Sequence, residues 1–220
     1  MKFLCINTAG ATVQVVLCNE EKLTVKMDGE FKKASVVCLP FIDELLQSAF
    51  LTVKDLDFIA VCIGPGSFTG IRIGLASARA FSQFTNIPLV CVTHHEILAR
   101  QCEAVKNSAE NIVTISDAAN GLSYVAVFDT DYAEILPPQS IKTEHLSVFL
   151  DSMEEPTVIC SDFGYEEFLP QDIHTIAPFC TKGAAFVNAA LCAYHNRGTI
   201  PYEKAVPLYV RKSQAEENFS

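Results

Sequence analysis

One order of elements runs through this chain twice. Apolar alternation and apolar runs read as strands at 2–7, 12–19 and 22–27, the second with Val13, Val15 and Leu17 on one face. A helix follows from Ser35 to about Phe50, with Leu39, Ile42, Leu45, Leu46 and Ala49 at helical spacing. Then come a strand at 58–63, a glycine-rich loop, a helix over 70–84, a strand at 89–92 and a helix near 95–105. The second pass gives strands at 111–117 and 122–129 on either side of the hairpin signal Asn120-Gly121. It continues with a strand at 132–136, a helix at 143–152, a strand at 157–160, a short helix at 163–169 and a strand at 173–176. A closing helix over 182–196 ends before Gly198. The order βββαβαβα, given twice, predicts two similar α/β lobes: 1–106, and a smaller one at 107–220, joined near Lys106–Glu110. A single irregular α/β domain is the alternative, because the second pass has shorter elements.

That order is the ribonuclease-H-like topology, and its duplication resembles the architecture of the actin, Hsp70 and sugar-kinase ATPases. Topology speaks to fold and not to function. In that architecture the first hairpin turn of each half faces a central cleft. The turns here are Asn7-Thr8-Ala9-Gly10 and Asp117-Ala118-Ala119-Asn120-Gly121. ATPases of this class use an acidic residue at the first turn to hold hydrated Mg²⁺ near the phosphates. Asn7 is neutral. Asp117 keeps a carboxylate in the second turn, with an Asx-turn role as its alternative reading. Asn7, Thr8 and Asp117 are the candidates for a nucleotide cleft.

The run Gly64-Pro65-Gly66-Ser67-Phe68-Thr69-Gly70-Ile71-Arg72-Ile73-Gly74 joins an apolar strand to a helix of small residues. Ser67 and Thr69 are candidate helix caps. A helix N-terminus presented by such a loop is a candidate anion cradle. It is not a P-loop, because no lysine lies between Lys54 and Lys106. Its glycine spacing does not fit a dinucleotide fingerprint. A tight turn without a ligand is the competing reading.

Composition narrows the classes further. Half of the 220 residues are apolar, enough for a substantial core, yet no apolar run approaches the ~18 residues of a membrane span. The start, Met1-Lys2-Phe3-Leu4-Cys5-Ile6, reads as a strand rather than a leader. Net charge is −10, with 26 acidic and 16 basic residues, which argues against extensive direct contact with nucleic acid. Nine cysteines without a Cys-x-x-Cys pair suggest buried thiols in a reducing, cytoplasmic setting. Cys91 with His94 and His95, and Cys192 with His195, are close in sequence but supply no four-ligand set, so no metal is expected.

The run at 64–76, Gly-Pro-Gly-Ser-Phe-Thr-Gly-Ile-Arg-Ile-Gly-Leu-Ala, resembles the hallmark of the TsaB (YeaZ) family. Residues 39–46, 56–61 and 87–92, Asp117-Ala118 and the tail Pro207-Leu208-Tyr209-Val210-Arg211 are similar to further family landmarks. The likeness is dense over residues 1–100 and thin beyond. It implies the duplicated actin-like fold and a non-catalytic subunit in formation of N6-threonylcarbamoyladenosine at position 37 of tRNA. It implies a TsaD-like transferase partner, a TsaE-like ATPase, a homodimer through the first lobe, and tRNA reached only through the complex. No resident cofactor is implied, beyond weak ATP or ADP binding at an interface shared between subunits.

The helix after the loop supports pairing by its own pattern. Gly70, Gly74, Ser77 and Phe81 form a narrow stripe, thinned further by Ala76, Ala78 and Ala80, along which another helix could approach closely. That helix is either internal, such as 36–50, or on a second chain. The expected contact set is Gly66, Ser67, Phe68, Thr69, Gly70, Ile71, Arg72, Gly74, Leu75, Ser77, Ala78 and Phe81. On this reading Gly74→Arg blocks pairing and leaves the monomer folded. Arg72 and Arg79 share a face, fit either for acidic groups of a partner or for solvent.

Three departures from the family pattern remove polar groups near the cleft: Asn7 for an aspartate, Ala34-Ser35-Val36 for His-Ser-Glu, and Ala119 with Leu122 in the second-half motif. An actin-fold ATPase or small-molecule kinase is the alternative function. A metal-dependent transferase is disfavoured, because no two of the histidines 94, 95, 145, 174 and 195 are four apart.

Overall fold

A computed structural model describes residues 1–28, 34–103, 109–153, 157–161, 174–177 and 183–211. By contact the chain divides into two compact units, Met1–His94 with Thr181–Leu208, and His95–Cys180 with Tyr209–Ser220.

The first unit holds β1 (Lys2–Asn7), β2 (Val13–Asn19), β3 (Lys22–Asp28), β4 (Phe58–Cys62) and β5 (Leu89–Val92) in one sheet of order β3-β2-β1-β4-β5. β1, β2 and β3 form an antiparallel meander, whereas β4 and β5 add in parallel. Parallel addition requires crossovers, and α1 (Ala34–Ser48) and α2 (Phe68–Thr85) supply them. Both helices cover one face. Ile42, Leu45, Leu75 and Ala78 bury there against Leu4, Ile6, Val15, Leu17, Ile59 and Val61. The opposite face is apolar too, which is why β1 and β4 read as continuous apolar runs rather than alternating ones. Phe3 and Phe58 stack there at 4.4 Å between centroids, and Tyr194 stacks on Phe58 at 4.9 Å.

Tyr194 lies on α5 (Ala184–Arg197), the last α-helix among the described residues. α5 packs on β5, β1 and β2 of the first unit.

The second unit repeats the topology. Its strands are β6 (Asn111–Asp117), β7 (Leu122–Asp129), β8 (Glu134–Lys142), β9 (Thr157–Ser161) and β10 (His174–Ala177), in the order β10-β9-β6-β7-β8. β6, β7 and β8 are the antiparallel meander, while β9 and β10 are parallel to β6. α4 (Leu146–Asp151) lays Leu146 and Leu150 on one face, against Val113, Ile115, Val125, Val127 and Ile159. α3 (His94–Ala99) and the 3₁₀ turn Arg100–Cys102 cover the other, where Leu98, Ala99 and Cys102 pack among Ile112, Ala126, Phe128, Val158 and Cys160.

The duplicated ribonuclease-H-like fold is therefore present, but the boundary expected at 106/107 moves. The apolar face of the helix after β5 is buried on the second sheet, and that of the closing helix on the first. β8 also runs to Lys142, well past the expected 136. Pro137 and Pro138 hide it in the sequence; they are tolerated because β8 is an edge strand whose register shifts near Val125 and Val127. The short helix expected at 163–169 lies outside the described residues.

Candidate functional site

The glycine loop is built by the end of β4. Gly64 and Gly66 have φ of 112° and 150°, and the Gly64–Pro65 peptide is cis. A β-carbon on Gly64 would sit 2.7 Å from the Leu208 carbonyl oxygen, and one on Gly66 would collide with the Ala9 carbonyl. Only glycine fits at these two points. Ser67 caps α2, its Oγ accepting from Gly70 N at 3.2 Å.

The loop is stitched to the first hairpin turn of the same unit. Ser67 N donates to the Ala9 carbonyl at 2.8 Å, and Thr8 Oγ1 donates to the Gly70 carbonyl at 2.7 Å. Asn7 Oδ1 accepts from Ala9 N at 3.0 Å, while Asn7 Nδ2 lies 3.4 Å from His94 Nδ1. His94 N donates back to the Gly64 carbonyl at 2.8 Å, and Leu208 N donates to the Ile63 carbonyl at 2.8 Å. Asn7 and Thr8 are buried. Both ends of the Asn7 amide thus hold protein groups, and the Ser67 hydroxyl serves the helix terminus where an anion would otherwise be received.

This arrangement corrects the surface assigned to the small-residue stripe. Gly70, Ile71, Gly74, Leu75 and Ala78 are buried within the first unit. A β-carbon on Gly70 would collide with the Thr8 carbonyl, and one on Gly74 with Thr8 Oγ1. The close approach those glycines allow is to the chain's own β1–β2 turn. Ser67, Thr69 and Arg72 are exposed; Gly66, Phe68, Ser77 and Phe81 are half-buried. The internal packing of α2 with α1 is also present.

Among the polar residues that face outward on these helices, such as Asp43, Glu44, Gln47, Arg72 and Gln83, stand three large apolar side chains that periodicity alone did not single out. Phe84 on α2 is 81% exposed, and Val36 and Leu39 on α1 are 61% and 53% exposed. Arg72, Ala76 and Ala80 of α2 are exposed as well.

In the second unit, Asp117 is exposed at the end of β6, and its Oδ1 accepts from Ala119 N at 2.8 Å. That is an Asx turn, the alternative reading for this residue. His95 is fully buried, with Nδ1 2.7 Å from Thr114 Oγ1 and Nε2 3.4 Å from Ser116 Oγ. The sequence placed His94 and His95 side by side; the fold gives one to each unit. Among the described residues no three His, Cys, Asp or Glu side chains are placed to hold a metal ion. The described cysteines are free thiols. No described helix is long and apolar enough to cross a membrane.

Comparison with known proteins places these features. The family model described as TsaD, tRNA N6-adenosine threonylcarbamoyltransferase, matches residues 31–194. The tRNA threonylcarbamoyladenosine biosynthesis protein TsaB of Bacillus subtilis is 27% identical over 98% of this chain and 96% of its own length. The Escherichia coli TsaB is 28% identical over 60% of this chain and 56% of its own. Among solved structures, YeaZ from Pseudomonas aeruginosa superposes with a TM-score of 0.79 at 22% identity, covering 94% of this chain and 99% of that one. A second Pseudomonas aeruginosa structure, of a protein with similarity to peptidase YeaZ, gives a TM-score of 0.80 at 22% identity over 96% of this chain and 99% of that one, and both speak to fold. The chain belongs to the tRNA N6-adenosine threonylcarbamoyltransferase (TsaD) family, and within it to the TsaB (YeaZ) proteins.

Proposed function

We propose that this chain is a non-catalytic subunit in the formation of N6-threonylcarbamoyladenosine on tRNA. It pairs with a TsaD-like transferase through the outer faces of α1 and α2. The observation that carries this is the end-to-end likeness to the Bacillus subtilis TsaB, 27% identity across 98% of the chain. The polar groups at the two hairpin turns support the absence of its own catalysis. Asn7 and Thr8 hold backbone or His94, and Asp117 holds Ala119 N.

A TsaE-like ATPase joins the pair, and a second copy of the chain takes the same α1–α2 surface when the transferase is absent. tRNA reaches the complex through the partner, consistent with the charge of −10. ATP or ADP binding by this chain is weak and confined to an interface shared between subunits, and the chain works in the cytoplasm.

Mixing the purified chain with the TsaD-like protein of the same cell and running size-exclusion chromatography tests the pairing. Co-elution at micromolar concentration is expected; separate elution with and without nucleotide would count against it. Titration calorimetry with ATP and Mg²⁺ tests the rest. Tight binding with turnover by the isolated chain would overturn the non-catalytic assignment.

A further inference from the structure

The β6–β7 turn carries three consecutive residues in the left-handed region: Ala119 at φ 58°, Asn120 at 55° and Gly121 at 72°. Asn120 and Gly121 are the central pair of a hairpin turn closed by Leu122 N on the Ala119 carbonyl at 3.1 Å, and both residue types suit that conformation. Ala119 does not, because its β-carbon crowds the following carbonyl there. The surroundings must hold it.

Two side chains do so. Asp117 Oδ1 accepts from Ala119 N at 2.8 Å. From the C-terminal tail, Arg211 Nη1 donates to the Ala118 carbonyl at 2.7 Å and reaches the Ala119 carbonyl at 3.5 Å. Those carbonyls stand on either side of the Ala119 α-carbon. In a helical conformation of either hand successive carbonyls point to the same side; in an extended one they point apart. One guanidinium nitrogen reaches both in the left-handed state that Ala119 holds, and loses one of them when Ala119 extends.

We infer that Arg211 is a latch: docking of the tail and the left-handed state of Ala119 are one equilibrium. Latched, the turn keeps the Asp117 carboxylate on Ala119 N. Released, Ala119 relaxes to an extended conformation and Asp117 Oδ1 becomes available to a cation or donor outside the chain. The tail thus controls the state of the exposed carboxylate in the second hairpin turn.

Hydrogen exchange read by mass spectrometry on the full chain tests this, with a peptide covering residues 116–123. Arg211→Ala is expected to speed exchange of the turn amides about tenfold to a hundredfold, the scale of one charge-assisted hydrogen bond, and to leave the interiors of β6 and β7 unchanged. In the Ala119→Gly background the same change is expected to speed exchange less than about twofold, because glycine holds positive φ unaided. Equal accelerations in the two backgrounds, or none in either, would overturn the latch. Should Arg211→Ala not give folded protein, Arg211→Lys serves in both backgrounds, since it keeps the charge but loses the planar fork. The same background dependence is expected, and its absence again overturns the proposal.

Discussion

Gly74 lies directly against Thr8. A β-carbon at position 74 would fall on the Thr8 hydroxyl oxygen, itself bonded to the Gly70 carbonyl at 2.7 Å. The helix α2 is pressed onto the β1–β2 turn along this line. The narrowness of its inner stripe answers to the chain itself.

The first prediction reverses the sequence expectation for Gly74→Arg. An added side chain must displace the turn, so the isolated monomer should lose at least ~2 kcal/mol. Urea unfolding of the single chain reads this directly. Wild-type stability together with lost pairing would return the stripe to the outer surface.

Ser67→Ala removes the hydroxyl that caps α2. A loss of about 1 kcal/mol is expected, lowering Tm by ~2–4 °C in a protein of this size. Ser67→Asp should retain most of it. Differential scanning fluorimetry decides, and an unchanged melting point for the alanine variant would show that the cap carries no weight.

The exposed apolar chains give a separate test of pairing. Phe84 is largely exposed, so in Phe84→Ser monomer stability should stay within ~0.5 kcal/mol. Affinity for the partner should fall about tenfold, the scale of one apolar anchor. Sedimentation velocity over a concentration series measures both self-association and complex formation. Undiminished affinity would move the interface off α2.

Thiol chemistry should follow burial. Burial raises the Cys5 thiol well above its ordinary pKa, and also raises Cys38. The neighbouring Cys102, followed by burial, raises Cys160. Raised values mean less thiolate at any given pH below them, and thiolate is the reactive form. Cys91 and Cys192 are half-buried. Native alkylation at about pH 8 should label those two before Cys5, Cys38 or Cys160, the order being read by peptide mass spectrometry. Early labelling of Cys5 would mean that the sheet face it occupies opens.

Much of the fold was legible because it rests on local patterns. β1, β4 and β9 are apolar runs bounded by turn signals, and Asn120-Gly121 announced its hairpin. The order of elements then pointed to the duplicated topology, with a single irregular domain as the alternative. What stayed hidden depends on pairs far apart in sequence. Small residues at 70 and 74 say that something comes close, but not that it is Thr8, more than sixty positions earlier. Periodicity shows that α3 and α5 each have a buried face, but not which sheet that face meets. Arg211 is one basic residue in a tail, with no local pattern to tie it to a turn near position 118.

The placement of α5 sets a schedule for the newborn chain. A ribosome that has produced residues 1–94 has made every strand of the first sheet and both helices of one face, while Phe3 and Phe58 still face outward. Their cover, including Tyr194, is synthesised about a hundred residues later. The half made first is therefore finished last. During that interval an apolar sheet face stands open, the condition under which nascent chains aggregate or recruit chaperones. A fragment ending at residue 106 would remain in that state indefinitely.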